Sequence, residues 1–289
     1  MKRILSTAIL FLFALSLHAQ TAPKADQSKI PYGDNKAAGH YAKIRGMNMY
    51  YETYGEGQPL LIIHGNSGSI GDFSKQIPYF AKKYKVIVAD SRDHGKTLDT
   101  LNMVDSLSYE QMSDDYAALL THLKIDSALV LGWSDGGING LLLAMRHPEK
   151  VKKLAVTGAN LWPDTNSVEP FILKYFDGIK KYYDKQKSSI ERTVLLRHFN
   201  LLLTQPQIKP ASLAQIKCPT LVMAGDQDVI KAEHTLLIAK SIPKANLWIV
   251  PDSGHGYLVL RSVDKFNAEV DEFFQRKYKK IAGRALLQN

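Results

Sequence analysis

Residues 129–138 read Leu-Val-Leu-Gly-Trp-Ser-Asp-Gly-Gly-Ile, and they contain the clearest indication of the fold. The apolar residues end a strand predicted over 127–133, and a helix rich in small residues is predicted over 137–147. Ser134 stands at the turn between them. Gly132 and Gly136 flank it because a Cβ at either position would clash in so tight a turn. This pattern is typical of a strand–turn–helix unit that presents a nucleophilic serine at the end of a strand.

Apolar runs separated by helical patterns extend on both sides of this unit. Residues 59–64 and 84–90 are almost continuously apolar, as expected for strands that are covered on both faces. Strands that alternate with helices need crossover connections and form a largely parallel sheet, so an α/β fold is predicted. The remaining strands are predicted over 47–54, 151–158, 220–225 and 246–250, and the remaining helices over 73–83, 108–123, 231–241 and 263–280.

The stretch over about 160–212 breaks the alternation of strands and helices. It contains helical pieces with many aromatic side chains, including Trp162 just after a predicted strand. We interpret it as a helical lid inserted into a single domain that spans 40–289. A mature chain of about 270 residues suits one α/β domain with an insertion better than two independent domains.

The first residues have the order of an export signal. Lys2 and Arg3 precede an apolar run, and Ala19 supplies a small residue at the expected cut. This order predicts a signal peptide over 1–19 and a periplasmic or secreted protein. The alternative is a retained membrane anchor, but the run falls short of the ~20 residues that span a bilayer. Stable membrane insertion after cleavage is therefore not expected. A flexible lead-in is predicted over 20–39, which has no apolar period.

The composition indicates a globular protein but does not identify a binding partner. The hydrophobic share of 45% is ordinary for a packed globule, and the net charge is +9. Loss of Lys2 and Arg3 with the signal would lower the charge to +7. The basic residues are scattered along the chain, which favours solvated faces over a nucleic-acid interface. The single cysteine, Cys218, excludes an internal disulfide.

A serine hydroxyl needs a base, and the base needs an orienting acid. His255 is the candidate base because it lies in a glycine-rich loop just past the strand over 246–250. Asp228 is the candidate acid. It follows another strand, and its rival Asp226 fits better as a cap of that turn. The carboxyl ends of strands are where such sheets present catalytic groups. The other histidines lie on predicted helices or in loops, without metal-ligand spacing.

Two backbone N–H groups are needed to bind the oxyanion that such an attack creates. The amide of Asp135, directly after the nucleophile, is one candidate. The amide of Asn66, in the loop after the strand over 59–64, is the other. The alternative for that loop is a simple strand-to-helix turn.

With the order Ser134, Asp228, His255, the chain resembles the α/β-hydrolase fold superfamily over nearly all of its mature length. The run from Gly132 to Gly137, with Ala-Asn after the next strand, is similar to the biphenyl-hydrolase-like serine hydrolases, the group that includes valacyclovir hydrolase. The resemblance implies hydrolysis of α-amino acid esters, with an acidic residue after the nucleophile facing the substrate amine. Asp135 matches that position. The stretch over 90–97 departs from the family pattern, because Asp93 replaces a glycine and Lys96 a small residue.

Asp135 also has a physical case of its own. A substrate ammonium ~4 Å from its carboxylate would gain of order 4 kcal/mol at an effective dielectric of ~20, before desolvation, whereas a neutral ester would gain nothing. The alternative is that Asp135 points away and pairs with a local Lys or Arg. Trp162 is a candidate for the acyl pocket because it directly follows a strand end, the alternative being a place in the lid core.

The sequence therefore predicts an exported serine hydrolase that cleaves a small ester or amide through an acyl-enzyme, without metal or cofactor. Proline iminopeptidases and carbon–carbon bond hydrolases use the same fold and serine, and they stay open as alternatives. A non-catalytic ligand-binding protein that kept the fold is the alternative from a different class.

Overall fold

The computed structural model of the chain describes residues 30–99 and 107–279. Contacts divide the chain at Pro31, and the unit Tyr32–Asn289 contains the entire sheet. In the other unit, Met1–Pro31, only Ile30 and Pro31 are described. The predicted signal over 1–19 lies outside the described residues, and so does the predicted lead-in up to residue 29.

One mixed sheet forms the centre of the unit. It has the order β1-β2-β4-β3-β5-β6-β7-β8, in which β3 to β8 run parallel and β1 and β2 are antiparallel to their neighbours. After β4 the chain crosses to the other side of β3, so β3 and β5 are neighbours at the centre of the sheet. The strands are β1 Gly39–Ile44, β2 Met47–Tyr54, β3 Gln58–Ile63, β4 Tyr84–Ala89, β5 Ala128–Trp133, β6 Val151–Thr157, β7 Thr220–Gly225 and β8 Ala245–Val250.

Helices connect the parallel strands and cover both faces of the sheet. In the described ranges they are α1 Gln76–Phe80, α2 Tyr109–His122, α3 Asp135–Arg146, α4 Pro170–Asp184, α5 Ile190–Thr204, α6 Ala232–Ser241, α7 Tyr257–Leu260 and α8 Val263–Gln275. Short 3-10 turns lie at Ile70–Phe73, Pro148–Lys150 and Pro210–Gln215. The prediction of a mostly parallel sheet flanked by helices is confirmed. Among the described helices, none combines the length and the apolar character needed to cross a membrane.

The central strands are apolar over most of their length because each face packs on a separate core. In β3, Leu61 and Ile63 belong to one hydrophobic cluster, whereas Leu60 and Ile62 belong to the cluster on the opposite face. Successive side chains of a strand point to opposite faces, so a strand buried on both sides needs an apolar residue at every position. Each such side chain contributes about 1.5–3 kcal/mol by leaving water.

The structure corrects three local predictions. The helix predicted over 73–83 is only α1, because a 3-10 turn and then a turn at Ser74 precede it. Strand β1 was not predicted, since its alternation is weak at the sheet edge. The lead-in predicted up to residue 39 is held at its end, where Glu52 accepts hydrogen bonds from the amides of Gly33 (2.9 Å) and Asn35 (3.0 Å).

Helices α4 and α5 fill the region predicted as a lid, between β6 and β7. The short connection over 185–189 turns the chain back, and the aromatic rings of Phe176 and Tyr183 on α4 pack against Phe199 on α5. No residue of α4 is fully buried, whereas α5 buries Arg197, His198 and Phe199. Helix α5 is therefore the member of the pair with side chains packed into the protein.

Candidate active site

Ser134 lies in a strained turn between β5 and α3. Its backbone has φ +57° and ψ −122°, a region that L-residues occupy only when surrounding structure enforces it. The Ser134 amide donates to the carbonyl of Thr157 on β6 (2.9 Å), and its own carbonyl accepts from the Gly137 amide (2.8 Å). A Cβ at Gly132 would come within 2.1 Å of the Gly136 carbonyl oxygen, and one at Gly136 within 2.0 Å of the Ile63 oxygen. Both flanking glycines are thus required by packing.

The imidazole of His255 lies against this serine. His255 belongs to the loop after β8, and its Nε2 is 2.9 Å from Ser134 Oγ, although the two residues are 121 positions apart. The indole Nε1 of Trp133 donates to the His255 carbonyl at 2.9 Å. The residue before the nucleophile therefore anchors the loop that carries the histidine, a role that the sequence did not reveal.

Asp228 completes a chain of three hydrogen-bonded side chains. In the loop after β7, its Oδ1 lies 2.7 Å from His255 Nδ1 and accepts from the Ile230 amide at 2.9 Å. A carboxylate only accepts, so Nδ1 carries the ring proton and Nε2 is free to accept the serine proton. Asp226, the rival, instead accepts from the Ser253 amide at 3.1 Å. It caps the turn between the two loops.

Two opposing effects act on the basicity of His255. Burial disfavours the imidazolium, but the charge and hydrogen bond of Asp228 and the charge of Asp135 outweigh it and raise the pKa of His255 above its ordinary value. A raised pKa strengthens the ring as a proton acceptor. It also means that the free base is lost as the pH falls through that pKa.

Gly158 is a site residue that the sequence did not single out. It follows β6 with φ +66°, and a Cβ there would lie 2.7 Å from His255 Cε1 and 2.9 Å from its Nδ1. The position needs glycine twice over, for its left-handed backbone and for the close approach of the imidazole. The available signal was a glycine directly after a buried strand, which marks a place where another group comes close.

The loop over 64–68 also reaches the serine. A Cβ on Gly65 would lie 3.1 Å from Ser134 Cβ, so the backbone next to Asn66 passes beside the nucleophile. His64 holds this loop, because its Nδ1 donates to the Gly65 carbonyl at 2.7 Å while its Nε2 accepts from the Ser91 amide at 2.9 Å. On the other side, Asp135 is the first residue of α3, and the first amides of a helix have no acceptor within it.

The sequence matches the alpha/beta hydrolase fold family over residues 58–207. The chain belongs to this family. The human serine hydrolase BPHL is 26% identical over 249 residues, which cover 80% of this chain and 84% of the relative. The putative carbamate hydrolase RutD of Caulobacter sp. strain K31 is 27% identical over 262 residues, covering 78% and 95%. The predicted resemblance to biphenyl-hydrolase-like enzymes is thereby confirmed.

Solved structures show the same fold. A meta-cleavage product hydrolase from Pseudomonas fluorescens IP01 superposes with a TM-score of 0.67 at 22% identity and covers 83% of this chain and 98% of its own. With the family match over residues 58–207 and the relatives above, the chain is a hydrolase of the α/β fold family.

Asp135 is buried. Among the described residues, no Lys or Arg forms an ion pair with its carboxylate. Asp135 is 3% exposed, and its Oδ2 accepts from Asn66 Nδ2 at 2.9 Å. Burial raises the pKa of Asp135 to about 6, although the Asn66 amide and the Tyr109 hydroxyl work in the opposite direction. Tyr109 is fully buried at the start of α2, and the sequence did not predict its place beside Asp135.

The departure from the family pattern at Asp93 has a structural explanation. Asp93 adopts φ +59°, a left-handed conformation that glycine takes freely and that Asp tolerates better than most residues. Its Oδ1 accepts from the Asp99 amide at 2.9 Å, and its Oδ2 lies 2.7 Å from Nη1 of Arg197 on α5. The aspartate thus adds an ion pair to helix α5 that a glycine could not form.

The side chain of Trp162 is partly buried. Its ring meets His234 edge-on at 4.7 Å, and it packs against the larger hydrophobic core. Across residues 30–99 and 107–279, no hydrogen bond or ring contact joins its side chain to Ser134, His255 or Asp228. In the same ranges no group of three or more His, Cys, Asp or Glu side chains is arranged to hold a metal ion.

Proposed function

We propose that the chain is a serine hydrolase that cleaves a small carboxylic ester or amide through an acyl-enzyme on Ser134. The observation that carries the proposal is the unbroken chain Ser134 Oγ–His255 Nε2 (2.9 Å) and His255 Nδ1–Asp228 Oδ1 (2.7 Å). The serine sits on a strained turn at the centre of the sheet. This is the geometry that activates a serine hydroxyl.

In the proposed reaction Ser134 Oγ attacks the acyl carbon while His255 Nε2 takes its proton. Asp228 keeps the proton on Nδ1 and stabilises the imidazolium. His255 then gives its proton to the departing alcohol or amine as the bond to the acyl carbon breaks. A water molecule attacks the acyl-enzyme with the same histidine as base, which releases the acid and regenerates the serine.

The oxyanion would be bound by the amides of Asn66 and Asp135. Support comes from the close approach of Gly65 to Ser134 and from the position of Asp135 as the first residue of α3. Two preorganised N–H groups next to a developing negative charge are the usual arrangement, and removing one such donor costs about 10²–10³ in kcat.

Labelling with a serine-directed fluorophosphonate tests the nucleophile. The folded protein is expected to form one adduct on Ser134, and Ser134→Ala is expected to form none and to lose activity. The matched control is Ser188→Ala, a change of an exposed serine in the connection between α4 and α5. A folded wild-type protein that takes up no label at Ser134 would reject the proposal in favour of a non-catalytic binding protein.

A substrate panel distinguishes the bond that is cleaved. It should contain para-nitrophenyl esters of several chain lengths, amino-acid esters, aminoacyl amides, a carbamate and a substrate that is cleaved at a carbon–carbon bond. The last two are included because relatives are named as a putative carbamate hydrolase and a meta-cleavage product hydrolase. We expect the esters to have the highest kcat/KM. Faster turnover of a carbamate, an aminoacyl amide or the carbon–carbon substrate would overturn that part of the proposal.

We also propose that Asp135 favours substrates with an amino group near the acyl carbon. Its carboxylate directly follows the nucleophile, and in its described surroundings Asn66 is a neutral partner that leaves the negative charge uncompensated. With a pKa of about 6, Asp135 is charged at neutral pH and loses its charge as the pH falls through 6. The preference for amino-acid esters should therefore weaken below pH 6.

The change Asp135→Asn tests this preference because it keeps the shape and removes the charge. It should lower kcat/KM for amino-acid esters at least ten-fold more than for neutral acyl esters of the same size, well inside the ~4 kcal/mol available to an ammonium at ~4 Å. Equal losses on both classes would show that Asp135 acts only on the fold or the oxyanion site.

Export is proposed from the sequence order of residues 1–19 alone. Expression of the full chain in a bacterial host, followed by fractionation and intact-mass measurement, tests it. The expected product begins after Ala19 and lies outside the cytoplasm. A full-length cytoplasmic product would contradict the proposal.

A further inference from the structure

His198 of helix α5 contacts two loops, one of which passes beside Ser134. Its Nε2 lies 2.9 Å from the carbonyl oxygen of Asp93, and its Nδ1 lies 3.1 Å from Ser67 Oγ. Its own carbonyl receives a longer contact of 3.5 Å from Asn66 Nδ2. One buried residue of α5 therefore joins the loop over 64–68 to the stretch over 90–97.

The contacts continue from His198 to the carboxylate beside the nucleophile. Ser67 Oγ lies 2.9 Å from Asn66 Oδ1, and Asn66 Nδ2 donates to Asp135 Oδ2 at 2.9 Å. The side chains of His198, Ser67, Asn66 and Asp135 lie in a row within hydrogen-bond distance of one another, and we call this row the α5 relay. It ends on the two residues whose amides are proposed to bind the oxyanion.

Donor and acceptor rules define the state of the histidine in this relay. A carbonyl oxygen can only accept, so the hydrogen of His198 lies on Nε2 and Nδ1 offers a lone pair to the Ser67 hydroxyl. Burial lowers the pKa of His198 to about 4, so the ring is neutral at physiological pH. Ser67 has a single hydroxyl proton for His198 Nδ1 and Asn66 Oδ1, and it can serve both positions only by alternating between them.

The packing around His198 keeps the ring in place. It stacks on the ring of His94 with centroids 3.9 Å apart and an interplanar angle of 16°, and His94 in turn meets His64 at 5.2 Å. The neighbouring Arg197 pairs with Asp93 at 2.7 Å. Ser67 itself has φ +54°, a strained conformation for a non-glycine residue that its surroundings must hold.

We propose that His198 is a positioning residue: through Ser67 it ties helix α5 to the loop over 64–68 and so sets the orientation of Asn66 and Asp135 beside Ser134. The inference rests on the proposed function for its kinetic consequence, but the coupling between helix and loop is a statement about structure. Removing the Ser67 link should loosen the loop and lower kcat about ten-fold or more, since displacements of 1 Å near a reaction centre cost up to ~10²-fold.

Two substitutions of His198 distinguish the effect of its hydrogen bond with Ser67 from a general role in anchoring helix α5. His198→Asn places an amide oxygen near the position of Nδ1, where it can still accept from Ser67, but it loses the contact to Asp93. His198→Gln places an amide N–H near the position of Nε2, where it can still donate to Asp93, but it loses the Ser67 link. Ser67→Ala breaks the same link without changing the helix. Asn200→Ala, an exposed position on α5, is the control.

Each variant should be examined by steady-state kinetics and by hydrogen–deuterium exchange of the peptide containing residues 64–68. We expect His198→Gln and Ser67→Ala to lower kcat about ten-fold, with KM within about three-fold of wild type, and to speed exchange of this peptide. His198→Asn and Asn200→Ala should stay close to wild type in both measurements. If His198→Gln fails to fold, Ser67→Ala gives the same comparison.

Two results would overturn the proposal. One is wild-type kcat and wild-type loop exchange in Ser67→Ala. The other is a His198→Asn variant that is as impaired as His198→Gln, because that outcome indicates a general anchoring role. A failure of the proposed function can be told apart from a failure of this inference. In the first case the wild-type protein forms no fluorophosphonate adduct, and hydrogen–deuterium exchange of residues 64–68 still measures the coupling between helix α5 and the loop.

Discussion

Replacement of Gly158 by alanine is expected to disable His255 while leaving the hydrolase folded. The new methyl group would start 2.7 Å from His255 Cε1 and 2.9 Å from Nδ1. Carbon atoms in ordinary contact are ~3.5 Å apart, so the ring must retreat by about 0.8 Å. It is held on one side by Asp228 (2.7 Å) and on the other by Ser134 (2.9 Å), and a movement of that size breaks or lengthens one of these bonds.

A displacement of ~1 Å costs up to ~10²-fold in rate, which is about 2.7 kcal/mol in the activation barrier. Alanine at φ +66° should also cost about 1–2 kcal/mol of stability. The matched control is Gly178→Ala on α4, where a Cβ would meet nothing within 4 Å. That change should leave kcat intact and stabilise the helix by about 0.5–1 kcal/mol.

Stopped-flow release of para-nitrophenol from an activated ester is the suitable assay, because the burst reports acylation of Ser134 separately from deacylation. Both steps use His255, so both rates should fall by about 30- to 100-fold in Gly158→Ala. Urea denaturation of the two glycine variants measures the stability terms. A Gly158→Ala protein that acylates and deacylates at wild-type rates would show that the ring does not need the space that glycine leaves, and the geometric reasoning would be wrong.

Three further predictions concern groups with defined partners. Asp228→Asn should lower kcat by about 10³–10⁴ with little change in KM, because an amide can hold the wrong tautomer of His255; a loss below ten-fold would contradict the assigned role. His234 is buried and its pKa is lowered to about 4, so the folded state loses stability as the pH falls below the ordinary value near 6.5. Between pH 7 and 5 wild type should lose about 2 kcal/mol more than His234→Gln, measured by urea denaturation, and equal losses would refute this. Arg92→Met removes a fully buried guanidinium from two aspartates and should cost about 3–5 kcal/mol, so a loss under 1 kcal/mol would be the contrary result.

Much of the fold could be predicted because its determinants are local. The strand over 59–64 is apolar up to His64 since both faces are covered, and its neighbours in the sheet largely repeat that pattern. The turn at Ser134 is indicated by Gly132 and Gly136, because a Cβ added at either position would overlap the backbone of another residue. Strand β1 was missed because an edge strand with mixed burial lacks a clear apolar period.

The candidate site was less visible because it depends on contacts between distant residues. Ser134, Asp228 and His255 could each be predicted from a position just after a strand. Their hydrogen-bond distances of 2.7 and 2.9 Å depend on the neighbouring positions of β5, β6, β7 and β8 in the sheet. Gly158 carries no chemistry, and its importance appears only when His255 is placed beside it. His198 was predicted as an ordinary helical histidine because nothing near it in sequence points to Ser67.

The fold class and the turn that holds Ser134 follow from short segments of the sequence, because the apolar pattern and the positions of glycines are local properties. Which groups share the site depends on tertiary packing. It buried Asp135, and this burial raises the pKa of the carboxyl to about 6 although the hydrogen bond from Asn66 opposes the shift. It also brought Arg197 and His198 of helix α5 into contact with Asp93. The physical reason is that burial and hydrogen-bond distances between residues many positions apart are set by the order of the strands and the packing of helices upon them.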